Sequence, residues 1–224
     1  MSGTSQWITD NATYFLGIIA LVFIYMWLRL SNDRLKLRPI ITAAVTAAVA
    51  VCGVFSIRIF AVIEHWDFSR FTSMSLFGAV FIMPLFVYLI AKIIKRDTAM
   101  FFDIMTVCLI FVMICGRINC MIYGCCTGTF FFNSHTFLWP VRELEIAFNL
   151  VMLFIIGSKV RRENTNGKMF PTFMIAYGIF RFLIEWVRVP ERSTVIHPGH
   201  ICAAISVAAG IVVLEIMRRK GTVK

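Results

Sequence analysis

Apolar stretches at about 14–30, 40–63, 75–94, 99–115, 144–157, 171–187 and 199–216 recur along the chain. Most are long enough to cross roughly 30 Å of hydrocarbon as helices. The fifth is short, with Glu143 and Glu145 crowding its start and Lys159 closing its end. With 59% hydrophobic residues, 15% charged residues and a mean hydropathy of +0.83, the chain carries far more apolar surface than one aqueous core can hide. The pattern predicts an all-α integral membrane protein, a bundle of about seven transmembrane helices forming one polytopic domain over 1–224. No internal repeat, low-complexity tract or soluble domain interrupts it.

The net charge of +10 has two readings, a nucleic-acid partner or membrane topology, and the placement of the basic residues separates them. Arg29, Arg34, Lys36 and Arg38 follow the first stretch; Lys92, Lys95 and Arg96 follow the third. Lys159, Arg161, Arg162 and Lys168 follow the fifth, and Arg218, Arg219, Lys220 and Lys224 end the chain. Fifteen of the 22 basic residues therefore fall on one side, which the positive-inside rule makes cytoplasmic. The N-terminus is expected outside, the C-terminus inside, and nucleic acid is not expected as a partner. Residues 1–13 hold no Lys or Arg and no cleavage pattern follows the first stretch, so that span is expected to be retained.

The other seven basic residues are all arginines: Arg58, Arg70, Arg117, Arg142, Arg181, Arg188 and Arg192. They lie within or beside the spans, toward the outer face. A guanidinium deep in a bilayer costs about 2.5 to 3.5 kcal/mol on insertion scales, so each needs a partner or a purpose. Planar forks also bind phosphate in a bidentate way that lysine does not reproduce. Arg181 sits mid-span in "AYGIFRFLIEWVRVPER", with Glu185 at i+4, Arg188 at i+7 and Tyr177 at i−4 on one helical face. That stripe is either a structural ion pair or a site for an anionic lipid headgroup. Gly178 would let another helix approach it. Arg58 has a simpler alternative, snorkelling to the nearby interface. Glu145 is read as either a counter-ion for an arginine or a proton acceptor.

Between the fourth and fifth stretches lies "GRINCMIYGCCTG", residues 116–128, which reads as a loop folding back on an anion beside Arg117. It resembles the signature G-R-I-G-N-F-I-N-G-E-L-Y-G of bacterial prolipoprotein diacylglyceryl transferases, sharing Gly116, Arg117, Ile118, Ile122, Gly124 and Gly128. "SIRIF" is similar to that family's G-A-R-L, and "SMSLFGAV" to its G-M-S-F-H-G-G-L. "WPVRELEIAF" looks like P-T-Q-L-Y-E-A, "YGIFRFLIEWVRVPE" like Y-G-L-F-R-F-L-V-E-F-F-R-E-P-D, and "GHICAAIS" like G-Q-I-L-S. The resemblance runs in order from about residue 50 to 215.

It implies a multi-pass enzyme of the bacterial cytoplasmic (inner) membrane. Such an enzyme moves a diacylglyceryl group from phosphatidylglycerol, an anionic phospholipid, to a lipoprotein-precursor cysteine at the outer face, with no metal or other cofactor. Arg117 and Arg181 become a phosphate clamp, Arg188 and Arg58 its supports, and Glu145 a headgroup or arginine partner. Tyr177 and Glu185 join the headgroup site.

The chain departs from the family at Phe77, Cys120 and Cys125, where a histidine, an asparagine and a glutamate are expected. Cys52, Cys108, Cys115 and Cys202 read as small core residues. Cys120, Cys125 and Cys126 share the glycine-rich segment, and Arg117 nearby would lower a thiol pKa. Buried thiols, a disulfide and a nucleophilic Cys125 all fit; a zinc site with His135, His197 and His200 matches no standard spacing. Two other functions stay open: transfer of a lipid-derived group through a loop cysteine, and non-catalytic lipid binding.

Overall fold

Backbone N–H and C=O groups find no water in hydrocarbon, so apolar runs of this length pair their own backbones as helices. The computed structural model describes residues 3–65, 77–125, 127–129, 138–188, 198–219 and 221. In chain order the elements are α1 (Gly3–Leu30), the single turn α2 (Asn32–Leu35), α3 (Pro39–His65), α4 (Phe77–Phe81) and α5 (Met83–Ile93). α6 (Thr98–Tyr123), α7 (Val141–Arg162), α8 (Met169–Glu185) and α9 (Pro198–Arg219) follow. The stretches Asn11–Leu30, Pro39–Ile63, Thr98–Tyr123 and Gly199–Arg219 are long and apolar enough to cross a membrane. This is an all-helical, multi-pass membrane protein.

α6 is the central element, packing against α1, α5, α7 and α8, while α9 lies along α8. Phe101, Ile104, Ile110 and Met113 of α6 are fully buried, and Ile24 and Leu28 of α1 and Phe173 of α8 close on the same core. The α8–α9 seam is tight because Gly178 and Gly210 have no side chain. A Cβ on Gly178 would sit 2.8 Å from the Ala203 carbonyl oxygen, and one on Gly210 2.9 Å from that of Pro171.

Two sequence expectations are corrected. The stretch read as a loop from Gly116 continues α6 through Tyr123, and the chain turns only at Gly124, whose φ of 69° closes the helix in the left-handed region. The fall in hydropathy at Arg117 does not stop the helix, because a buried partner receives the charge. The single stretch expected over 75–94 is two helices, broken at Ile82, just before Pro84 occupies the first turn of α5.

The two ends of the bundle are tied differently. At one end Arg34 donates to the carbonyl oxygens of Val160 (2.7 Å), Glu163 (2.9 Å) and Arg161 (3.1 Å), satisfying acceptors that the C-terminus of α7 leaves open. Nearby, the Asp103 carboxylate on α6 accepts from the Thr165 hydroxyl and from the N–H groups of Gly167 (2.7 Å) and Met169 (2.9 Å), fixing the α7–α8 connection. Guanidinium and carboxylate side chains converge at the other end.

Candidate functional site

Glu145, one turn into α7 after Val141 buries itself in the core, has no solvent exposure. Arg117 of α6 reaches one of its carboxylate oxygens through Nε, and Arg181 of α8 reaches the other through Nη1. Three helices thus contribute one charge each to a single point, from positions far apart in the chain. The second Arg181 nitrogen pairs with Glu185 Oε2 at 2.9 Å along the same helix face, and Arg188 Nη1 approaches Glu185 Oε1 at 3.7 Å. Tyr177, one turn before Arg181, is buried against Phe173 and lies beside Arg117 and Glu145. Glu185 in turn lies against the first turn of α9, where a Cβ on Gly199 would fall 2.7 Å from its carboxylate.

Among the described residues three guanidiniums, of Arg117, Arg181 and Arg188, meet two carboxylates, so the described group holds one more positive than negative charge. Each guanidinium has five donors in a planar fork, which can bridge more than one acceptor. A buried anion with several acceptor oxygens, such as a phosphate, is the ligand that such a surplus suits.

The segment after Gly124 is stitched to the same end. Thr129 N–H donates to the Val187 carbonyl at 2.8 Å, and Gly128 pairs with Arg188 across an isolated antiparallel bridge. Gly128 must be glycine here, since a Cβ would fall 2.3 Å from the Trp139 carbonyl oxygen. Gly116, by contrast, is inside α6 and makes no turn. Cys120 is also helical and half-buried; Cys125 follows the cap and is exposed, its thiol 3.7 Å from the Cys120 carbonyl oxygen. Arg58 lies half-buried on α3, where a Cβ on Gly78 of α4 would meet the backbone of Ser56. Cys126, Arg70, Arg192, His135 and His197 lie outside the described residues.

Several residues gain roles that the sequence reading did not assign. Arg142 donates to the carbonyls of Cys125 (3.4 Å) and Cys120 (3.5 Å), capping the end of α6. Asn149, one turn beyond Glu145, donates to the Glu145 carbonyl at 2.8 Å. Asn119 takes a hydrogen bond from Thr13 of α1 at 3.1 Å. The signal for Asn149 was present: a polar side chain four residues after a buried glutamate, in an apolar helix, shares its face.

Residues 11–216 match the family model for prolipoprotein diacylglyceryl transferase. A phosphatidylglycerol–prolipoprotein diacylglyceryl transferase of Clostridium tetani is 25% identical over 158 residues, covering 64% of this chain and 64% of its own length. A Dehalococcoides mccartyi protein of the same description is 20% identical over 198 residues, covering 79% and 75%. An Ehrlichia ruminantium protein, again so described, is 32% identical over 121 residues, 47% of each chain.

Proposed function

The chain belongs to the prolipoprotein diacylglyceryl transferase family, and from that premise we propose that it transfers a diacylglyceryl group from phosphatidylglycerol to a prolipoprotein cysteine. The acceptor thiolate attacks a glyceryl carbon, the carbon–oxygen bond to phosphate breaks, and glycerol phosphate leaves with the electron pair. The charge that develops on the leaving phosphate needs preorganised donors. The observation that carries this reading is the convergence of Arg117 and Arg181 on Glu145, with Arg188 approaching Glu185 beside them. Glu145 and Glu185 hold the forks in place, Tyr177 orients Arg117, and Arg188 and Arg58 extend the positive field toward the headgroup.

The same reading includes topology: seven spans, the N-terminus outside, the C-terminus cytoplasmic, and the arginine cluster at the outer face of the cytoplasmic membrane. It is supported by Arg34, Arg96 and Arg161 lying at the end opposite Glu145. Purified protein in phosphatidylglycerol vesicles, given a peptide with a lipobox cysteine, should yield diacylglyceryl-modified peptide by mass spectrometry. An unmodified peptide under conditions where an authentic family enzyme works would overturn the proposal.

A second reading gives Cys125 a covalent role, and its exposed thiol is the observation in favour. There its thiolate would attack an ester carbonyl of the lipid, the lysolipid oxygen would leave with the electron pair and take up a proton, and a second nucleophile would take the acyl group from the thioester and release the thiolate. A mass adduct on the peptide spanning 118–125 supports this version; a bare peptide during active turnover removes it.

A further inference from the structure

α1, α3, α5 and α6 enclose an apolar groove of about 310 Å³, within the roughly 300 to 1,000 Å³ of ligand sites. Two of its wall residues are glycines, Gly17 on α1 and Gly53 on α3, and a Cβ added to either meets nothing within 4 Å. Small residues in membrane helices ordinarily let backbones approach, as Gly178 and Gly210 do in the α8–α9 seam. Gly17 and Gly53 let no part of the chain approach, although glycine is a poor helix former. What they leave is bore.

The groove has a direction. On α6 its wall runs from Phe102 to Val112, about 15 Å at 1.5 Å per residue, or half of a hydrocarbon core of roughly 30 Å. At one end Phe102 and Phe170 meet edge to face with centroids 5.6 Å apart, and both belong to the wall. At the other end the wall finishes at Ile57, the residue before Arg58, and at Val112, about 7.5 Å along the helix from Arg117. Thr106, a polar wall residue, already donates to the Phe102 carbonyl at 2.8 Å, so the lining stays hydrocarbon-like. Leu21, Val54 and Val112 are partly exposed at its side, where lipid has access.

We propose that this groove holds one acyl chain of the donor phospholipid, with Gly17 and Gly53 keeping its bore open and the Phe102–Phe170 pair setting the chain length accepted. The inference rests on the donor reading above. A one-leaflet depth, a floor of two aromatic rings and a mouth below the arginine end fit a chain whose phosphate is held by Arg117 and Arg181. Filling the bore removes contacts worth about fourfold in affinity per buried methylene.

The test compares phosphatidylglycerols carrying decanoyl, palmitoyl or stearoyl chains as donors to a lipobox peptide. In Gly53→Leu the palmitoyl-to-decanoyl ratio of kcat/KM should fall about tenfold or more, the worth of two methylenes. Gly17→Leu, on the facing wall, should act the same way and decides the matter if Gly53→Leu does not assemble. Phe102→Ala should move the preference toward stearoyl. Unaltered ratios in both leucine variants would overturn the proposal while leaving the transfer reading intact. Native mass spectrometry of the same proteins with palmitoyl phosphatidylglycerol gives a readout independent of turnover. Retention by the unmodified protein and loss in the leucine variants supports the groove even if no peptide is modified, and equal retention overturns it.

Discussion

Asp103 and Glu145 are both carboxylates buried almost completely, 2% and 0% exposed, at opposite ends of the same packed helices. Their partners differ in kind. Asp103 receives a hydroxyl and two backbone N–H groups, and its role ends with holding the α7–α8 connection to α6. Glu145 receives two guanidiniums, each a planar fork of five donors. Ionised groups in a membrane are costly wherever they lie, so burial alone does not mark a site. The informative property is whether the partner can engage a third group. Backbone amides fixed in a loop cannot; a guanidinium fork can.

Breaking the Glu145 side of the comparison should have the largest effect. Glu145→Ala leaves two buried guanidiniums without their shared carboxylate, a loss of about 3 to 5 kcal/mol. Unfolding in detergent should show it, with transfer abolished. A loss no larger than that of Asp103→Asn would erase the distinction. Arg181→Lys comes next: it keeps the charge and its pairing with Glu145 but loses the planar fork. Turnover should fall about 10²- to 10³-fold, roughly 3 to 4 kcal/mol, with unfolding near that of the parent protein. Near-full turnover would reduce the pair to a structural salt bridge. On the other side, Asp103→Asn should cost about 1 to 3 kcal/mol of stability through imperfectly satisfied amides. Turnover per folded molecule should not change; a drop in kcat would make both carboxylates functional. The smallest effect is expected for Thr13→Val, which removes the hydroxyl bonded to Asn119 and Tyr123 at the exposed rim. About 0.5 to 1 kcal/mol should be lost, and a larger value would place the α1–α6 rim closer to the core than its exposure suggests.

What the sequence revealed follows the range of the interactions. The stripe of Tyr177, Arg181 and Glu185 was legible because helical spacing alone puts those residues on one face. The meeting of Arg117 and Arg181 on Glu145 was not derivable that way. It joins three helices, and only the family resemblance suggested that the two arginines cooperate. The same long-range pairing explains the misplaced loop: hydropathy falls at Arg117, yet the helix runs on to Tyr123, since its partner lies on another helix. The break at Ile82 had a local signal in Pro84, hidden by the unbroken hydrophobicity around it. Asp103, a lone carboxylate inside the apolar run 99–115, was passed over in the sequence, and its amide partners follow from a turn whose shape no local pattern announced.

The contact of Arg34 with the end of α7 bears on how the chain is put together. Arg34 leaves the ribosome ahead of its acceptors by 126 to 129 residues, which at about 5 to 20 residues per second is on the order of 6 to 25 s. Throughout that interval the first hairpin is in place but unlatched, and its guanidinium must wait in water. Its place in the short connection between α1 and α3, rather than within either helix, makes the wait affordable. Assembly is thereby ordered: the early helices insert first, and their latch closes only when the C-terminal turn of α7 arrives.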